Sequence, residues 1–302
     1  MGSGLALKIS LADNLKDLFN NSKKYPLLYV YFFAGLIVSY FCNGGVQGSL
    51  RSLINSIILL CWIILIRLFT PSSIEKIEIK KPHKEAIIII FIYIYVFLVG
   101  LILNKVGVEV NNLVSNIALK TFFNAIINTI FLTVPMLLLS KILSYSFKDM
   151  GLVFNFKKLS LTLLAITILG GLLQKFISIS NLHQTLLIYV IEIFISALPE
   201  ELIFRGFILP RLEKALNNPI YALILTTILF NLVHLPTIII QNHFFSLQVI
   251  LQTILDCLFI NTNAIGLAGL ALGYLYLRTR SVVPGTLWHA ACNALGSIFL
   301  FT

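Results

Sequence analysis

Charge is scarce in this chain. Asp, Glu, Lys and Arg make up 11% of its 302 residues, and 12 of those residues are acidic, too few to coat a water-soluble globule of this size. Cysteine is scarcer still and carries no pattern. Cys42, Cys61, Cys257 and Cys292 stand apart without a CxxC spacing, which excludes a disulfide framework and leaves them as small buried hydrophobes. The HExxH sequence of helical zinc proteases is absent. Residues 1–24 lack the cleavage features of a secretory signal, and the start Met1-Gly-Ser-Gly has neither Ser nor Thr at the sixth position, which argues against myristoylation. No low-complexity tract, long linker, soluble domain or internal repeat stands out. One membrane domain over 1–302 is the simplest account. Within it, 1–24 form a cytoplasmic or interfacial segment, loosely amphipathic through Leu5, Leu7, Leu11, Leu15, Leu18 and Phe19.

Hydrocarbon, by contrast, is abundant: 58% of residues are hydrophobic and the mean hydropathy is +0.96. A helix needs about 20 mostly apolar residues to cross about 30 Å of bilayer core. Stretches near 26–42, 50–69, 86–103, 121–140, 159–177, 185–197 and onward, 219–240, 247–277 and 282–301 qualify. They predict an all-α, polytopic transmembrane helical bundle of about eight to nine spans. Their unbroken apolarity excludes the alternating strands of a barrel.

The net charge of +10 would suggest nucleic acid in a soluble chain, but here the basic residues sit between spans and report orientation. Lys8, Lys16, Lys23 and Lys24 precede the first span; Lys76, Lys80, Lys81 and Lys84, then Lys141, Lys148, Lys157 and Lys158, then Arg211 and Lys214 occupy alternate connections. Those connections, and the N-terminus, are therefore expected in the cytoplasm. Counting 247–277 as two full spans would send Arg278 and Arg280 outward, whereas one broken span keeps the alternation. Residues 242–263, with Asp256, Asn261, Thr262 and Asn263, accordingly read as partly re-entrant or interfacial. Ile-, Asn- and Lys-rich usage points to an AT-rich bacterial genome and so to a multi-pass protein of a bacterial cell membrane.

Chemistry-bearing residues concentrate in the last third. Glu200, Glu201, Arg205, His234, His289 and Asn293 lie inside or beside apolar helices, and ionisable groups at membrane depth are usually functional. Asn217-Asn218-Pro219 is a turn signal with proline at a helix start. Glu200 lies about 17 residues before it and His234 about 16 after it. At 1.5 Å per residue each is roughly 25 Å from the turn along antiparallel helices, which levels the two. Pro199 frees a backbone carbonyl beside the acidic pair and bends the helix. Glu201 and Arg205 are spaced for an intrahelical ion pair, leaving Glu200 free for general-base work with His234. His289 and Asn293, four apart on one helix face, could both donate to one oxygen, as in an oxyanion hole. Trp288 packs the pocket or sits at the interface, and Gly266, Ala268, Gly269, Ala271 and Gly273 permit close helix packing.

Three ordered motifs, Glu200-Glu201-x-x-x-Arg205, Phe230-x-x-x-His234 and His289-x-x-x-Asn293, resemble those of the CPBP or Abi family of CAAX-type intramembrane proteases and bacteriocin-processing enzymes. The segment from Gly269 to Ser281 also resembles that family's glycine-spaced helix and following turn. The resemblance covers roughly 185–300, which it makes the catalytic core. It implies that Glu200 with His234 activates a water for attack on a peptide bond, that His289 and Asn293 hold the oxyanion, and that Glu201 and Arg205 support them. The stretch between His234 and Gly269 is longer than the family's, and Arg280 stands where a glycine is common. The implied substrate is a membrane-associated peptide or protein in peptide maturation, bacteriocin immunity or signalling; nucleic acid is not an expected partner.

The bland readings differ by residue. A Glu-Arg pair fastens helices about as often as it catalyses, so Glu201 and Arg205 are supporting residues. His83, His183 and His243 read as solvated loop residues, and Glu192, with no evident cation, is unexplained. Glu200, His234 and His289 could also furnish three zinc ligands with water in the fourth position, although the favoured reading requires no cofactor. Two other functions compete: a non-catalytic membrane immunity or regulatory protein, and a proton-coupled transporter, which would be expected to show paired repeats.

Overall fold

The computed structural model describes residues 26–42, 44–70, 79–113, 117–153, 189–235, 247–259 and 264–295. The N-terminal segment 1–24, the span expected at 159–177, His183 and His243 lie outside the described residues, as do the side chain of His83 and residues Asn261, Thr262 and Asn263.

All nine elements among the described residues are helical. The first three are α1 (Pro26–Cys42), α2 (Val46–Phe69) and α3 (Pro82–Leu113). Next comes α4, which runs over 117–142 through Ile117–Asn128, a π-helical section Thr129–Thr133 and Val134–Ile142. A fifth helix, α5, occupies 189–216 and contains the π-helical sections Ile193–Ala197 and Leu202–Ile208. The chain closes with α6 (Pro219–Leu232), α7 (Leu247–Leu258), α8 (Ala264–Thr279) and α9 (Val283–Leu295). The expected broken span at 247–277 thus resolves into two helices. The 12 residues of α7 extend about 18 Å, too short to cross the hydrocarbon. Three stretches among the described residues are long and apolar enough to span: Val46–Arg67, Lys84–Gly107 and Phe122–Ile142.

Packing follows a single stripe on each outer helix. On α2 the buried side chains are Ser52, Asn55, Leu59, Trp62 and Ile66; on α3 they are Glu85, Ile89, Ile92, Val96 and Val99, three and four residues apart as one helix face requires. The opposite faces show Phe33 and Phe41 of α1 and Ile87, Phe91, Ile94 and Leu98 of α3 to the outside. Apolar side chains pointing outward are what lipid favours, and the protein is a membrane protein. In contrast, α5 is buried all round from Glu201 to Leu212 and forms the centre of the bundle with α8.

One end of the bundle is stitched by polar contacts among the basic connections. Arg211 donates to Glu85 (2.8 Å), Tyr145 to the other oxygen of Glu85 (2.6 Å), and Lys80 to the carbonyl of Ser144 (2.8 Å). Arg278 reaches Thr70 (2.9 Å) and Arg280 grips Glu213 through both of its terminal nitrogens (2.6 and 2.9 Å). Val282 N–H donates to the Gly151 carbonyl, docking the connection after α4 against the start of α9. The basic connections at 80–84, 141–148, 211–214 and 278–280 therefore gather at the same end.

Two expectations about single residues change. Of the four cysteines, all unpaired, only Cys257 is fully buried; Cys61 is exposed on the outer face of α2, where a thiol in lipid costs little more than an alanine would. Arg280 has φ +51°, the left-handed conformation that favours glycine, and its ion pair with Glu213 holds a larger side chain there.

Candidate active site

The site is built on α5, whose helical turns are irregular for a local reason. Proline cannot donate to the carbonyl four residues back, and its ring presses on that carbonyl. A π-helical section widens the turn ahead of it. All three π-helical sections among the described residues obey this rule: Thr129–Thr133 precedes Pro135, Ile193–Ala197 precedes Pro199, and Leu202–Ile208 precedes Pro210. The expected effect of Pro199 thus appears as a widened rather than a broken helix. Asn217 ends α5 at φ +48°, and Asn218 caps α6 by accepting from the N–H groups of Ile220 and Tyr221.

Glu201 and Arg205 form the expected ion pair, Nη1 to Oε1 at 3.0 Å, with each side chain 1% exposed. Two further contacts hold the guanidinium. Arg205 Nη2 donates to the Gly269 carbonyl (2.9 Å), and its guanidinium lies 4.4 Å from the centre of the Phe230 ring. A methyl group on Gly269 would sit 3.0 Å from Phe230 and Thr227, so this glycine lets α8 approach closely enough for its carbonyl to be reached. Glu201 Oε1 also accepts from His289 Nδ1 (3.1 Å). The carboxylate therefore joins α5, α9 and, through Arg205, α8.

Glu200 points elsewhere. Its Oε2 lies 3.8 Å from His289 Nε2, beyond hydrogen-bond length, and has no hydrogen-bond partner among the described residues. His234 donates from Nδ1 to the Phe230 carbonyl (2.8 Å); a carbonyl can only accept, so the proton is on Nδ1 and Nε2 is the free ring atom. The expected pairing of Glu200 with His234 is thus not a direct bond. Both line one cavity of about 270 Å³ together with His289 and Asn293, among apolar walls that include Phe230, Leu272 and Trp288. Trp288 packs the pocket at 2% exposure, its ring 4.6 Å from that of Trp62.

Asn293 departs most from expectation. Its Nδ2 donates to Ser196 Oγ (2.9 Å) and Glu192 Oε2 (3.3 Å), and Ser196 in turn donates to Glu192 Oε2 (3.0 Å). Glu192, left unexplained in the sequence reading for want of a cation, accepts from two neutral side chains here, and Ser196 was missed altogether. The spacing of four from Glu192 to Ser196 to Glu200 was the available signal. Gly285 was missed as well: a methyl group there would meet Glu201 Oε2 at 3.0 Å.

Among the described residues no three His, Cys, Asp or Glu side chains converge as a metal site. Nδ1 of His234 and of His289 is held by a carbonyl and a carboxylate acceptor, which leaves Nε2 of each ring as the atom a metal would take.

Searches of curated proteins and of solved structures returned no match. Comparison with protein families gave one: residues 182–295 match the profile of the type II CAAX prenyl endopeptidases, Rce1-like. That segment contains the cavity and every polar side chain that lines it, and in it the chain is similar to the CAAX endopeptidases, a family of proteases.

Proposed function

We propose that this protein is an intramembrane endopeptidase that hydrolyses a peptide bond in a membrane-associated peptide or protein. The observation that carries the reading is the convergence of Glu200, His234, His289 and Asn293, from two helices and the turn after α6, on one apolar-walled cavity. Such a cavity admits a peptide bond and a water, and fixed polar groups among apolar walls act strongly on developing charge.

In this mechanism Glu200, with Nε2 of His234 across the cavity, takes a proton from a water, and the water oxygen attacks the carbonyl carbon. The carbonyl π pair moves to oxygen. The oxyanion accepts from Asn293 Nδ2 and from His289 Nε2. With Nδ1 already donating to Glu201, His289 can donate at Nε2 only as an imidazolium. Collapse breaks the C–N bond, and the proton held by Glu200 passes to the leaving nitrogen, giving a carboxylic acid and an amine. Glu201 and Arg205 hold His289 and touch no reacting atom. Gathering of the basic connections at one end supports a cytoplasmic placement of that end and, with it, of the N-terminus. Roles in peptide maturation, bacteriocin immunity or signalling are all compatible with this chemistry.

The test is cleavage of a mixed library of membrane-bound peptides by wild type and Glu200→Gln, each with and without a strong chelator. Cleavage by wild type alone supports the protease and its base, and the chelator arm reads out any metal. Equal cleavage by both proteins would remove Glu200 from the mechanism, while an immunity scaffold that only binds would be indifferent to the change.

A further inference from the structure

Glu192, Ser196 and Asn293 form a hydrogen-bonded chain with a fixed direction. A carboxylate only accepts. Ser196 gives its single hydroxyl proton to Glu192 Oε2 (3.0 Å) and so can only accept from Asn293. Asn293 must then present Nδ2, not Oδ1, to α5, at 2.9 Å. Remove the carboxylate and the serine can donate instead, which allows the amide to turn over and put its oxygen where its nitrogen was.

From this we infer that Glu192 and Ser196 are positioning residues for the reaction: they set which end of the Asn293 amide is available as a donor. The inference rests on the proposed oxyanion role of Asn293. An amide nitrogen carries two protons. One is engaged by Ser196 at 2.9 Å, and the second makes the longer contact to Glu192 at 3.3 Å. The weaker of the two is the one an oxyanion takes over, with the amide still held by Ser196. A turned amide would instead set a carbonyl oxygen against the developing negative charge.

The location supports this role. Ser196 lies within the π-helical section Ile193–Ala197, and Glu200 follows it by four residues on the same helix. The base and the dock for the oxyanion donor are thereby carried on one rigid element, whose register the section before Pro199 sets.

The experiment is a kinetic cycle on a fluorogenic, lipid-anchored peptide chosen from the library for cleavage by wild type. Ser196→Ala and Glu192→Leu lower kcat about tenfold with KM little changed, a fraction of the roughly 100-fold or greater loss typical when an oxyanion donor is removed outright. Ser196→Thr, which keeps the hydroxyl, restores kcat. In an Asn293→Ala background neither Ser196→Ala nor Glu192→Leu lowers kcat further, because the group they position is gone. Equal losses with and without Asn293, a change confined to KM, or wild-type kinetics for Ser196→Ala would each overturn the inference while leaving the protease reading intact. Absence of cleavage by wild type overturns both. Should Glu192→Leu not fold, the serine variants carry the test alone.

Discussion

His289 Nδ1 donates to Glu201 Oε1 across 3.1 Å, while its Nε2 stands 3.8 Å from Glu200. Two adjacent carboxylates on one helix thus hold one imidazole by different means, Glu201 as its anchor and Glu200 as its neighbour in the cavity. A division of labour follows that substitution can expose.

Glu200→Gln should abolish cleavage, by the 10²- to 10⁴-fold typical of a positioned general base, without lowering the thermal stability of the protein in detergent. Glu200 Oε2 has no bond to lose. A parallel fall in melting temperature would point to a structural role instead.

Arg205→Ala should act mainly on stability. It strands Glu201, whose side chain is 1% exposed, and breaking a buried pair from one side costs about 3–5 kcal/mol. The double change Glu201→Ala with Arg205→Ala should cost less than the sum of the single changes. Denaturation of the four proteins in matched detergent closes this cycle.

Gly206→Ala should loosen the connection after α4. The added methyl would lie 2.5 Å from the Met150 carbonyl oxygen, a backbone atom that cannot swing aside. A cost of about 1–3 kcal/mol or more is expected, with faster proteolysis between residues 143 and 153 as the local readout.

Arg280→Gly and Arg280→Ala should separate conformation from charge. Both lose the two-bond pair with Glu213, most of which is shielded from solvent, and so share that loss. Only glycine gains from the left-handed backbone, by about 1 kcal/mol. The alanine variant should melt lower than the glycine variant.

Asp149 gives the same connection a dependence on pH. Hydrogen bonds from the Ser146 hydroxyl and backbone N–H hold its carboxyl below the usual carboxylate value, despite partial burial. A depressed folded value means the stabilisation is present above about pH 4, the ordinary range, and is lost as the pH falls through the lowered value. Hydrogen exchange of Ser146 to Gly151 should rise with acidification in wild type and be insensitive to it in Asp149→Asn.

Much of this architecture was legible in local sequence. The apolar run 26–42 is a helix with those bounds, and Asn217-Asn218-Pro219 turns the chain as its residue types require, one asparagine left-handed and the other capping. Glu201 and Arg205 met because both lie on one helix. The contacts that sequence did not disclose cross between helices. Asn293 meets Ser196 from 97 residues away, and that meeting depends on the widened turns before Pro199, which a regular period of 3.6 residues does not represent. His234 and Glu200 line one cavity, yet height along a helix says nothing of azimuth, and the ring beside the Glu200 carboxylate is that of His289.

The packing of Trp62 against Trp288 has an optical consequence. The chain contains two tryptophans, and their rings are 4.6 Å apart with planes at 41°, one of them in the wall of the cavity. Light absorbed by tryptophan in this protein is therefore absorbed at a single place. The two transitions are close enough to couple, so the pair should give a split near-ultraviolet dichroism band and mutually quenched emission. Replacing Trp62 with phenylalanine would leave Trp288 as a lone, native reporter of whatever enters the cavity, with no label added to the protein or to its substrate.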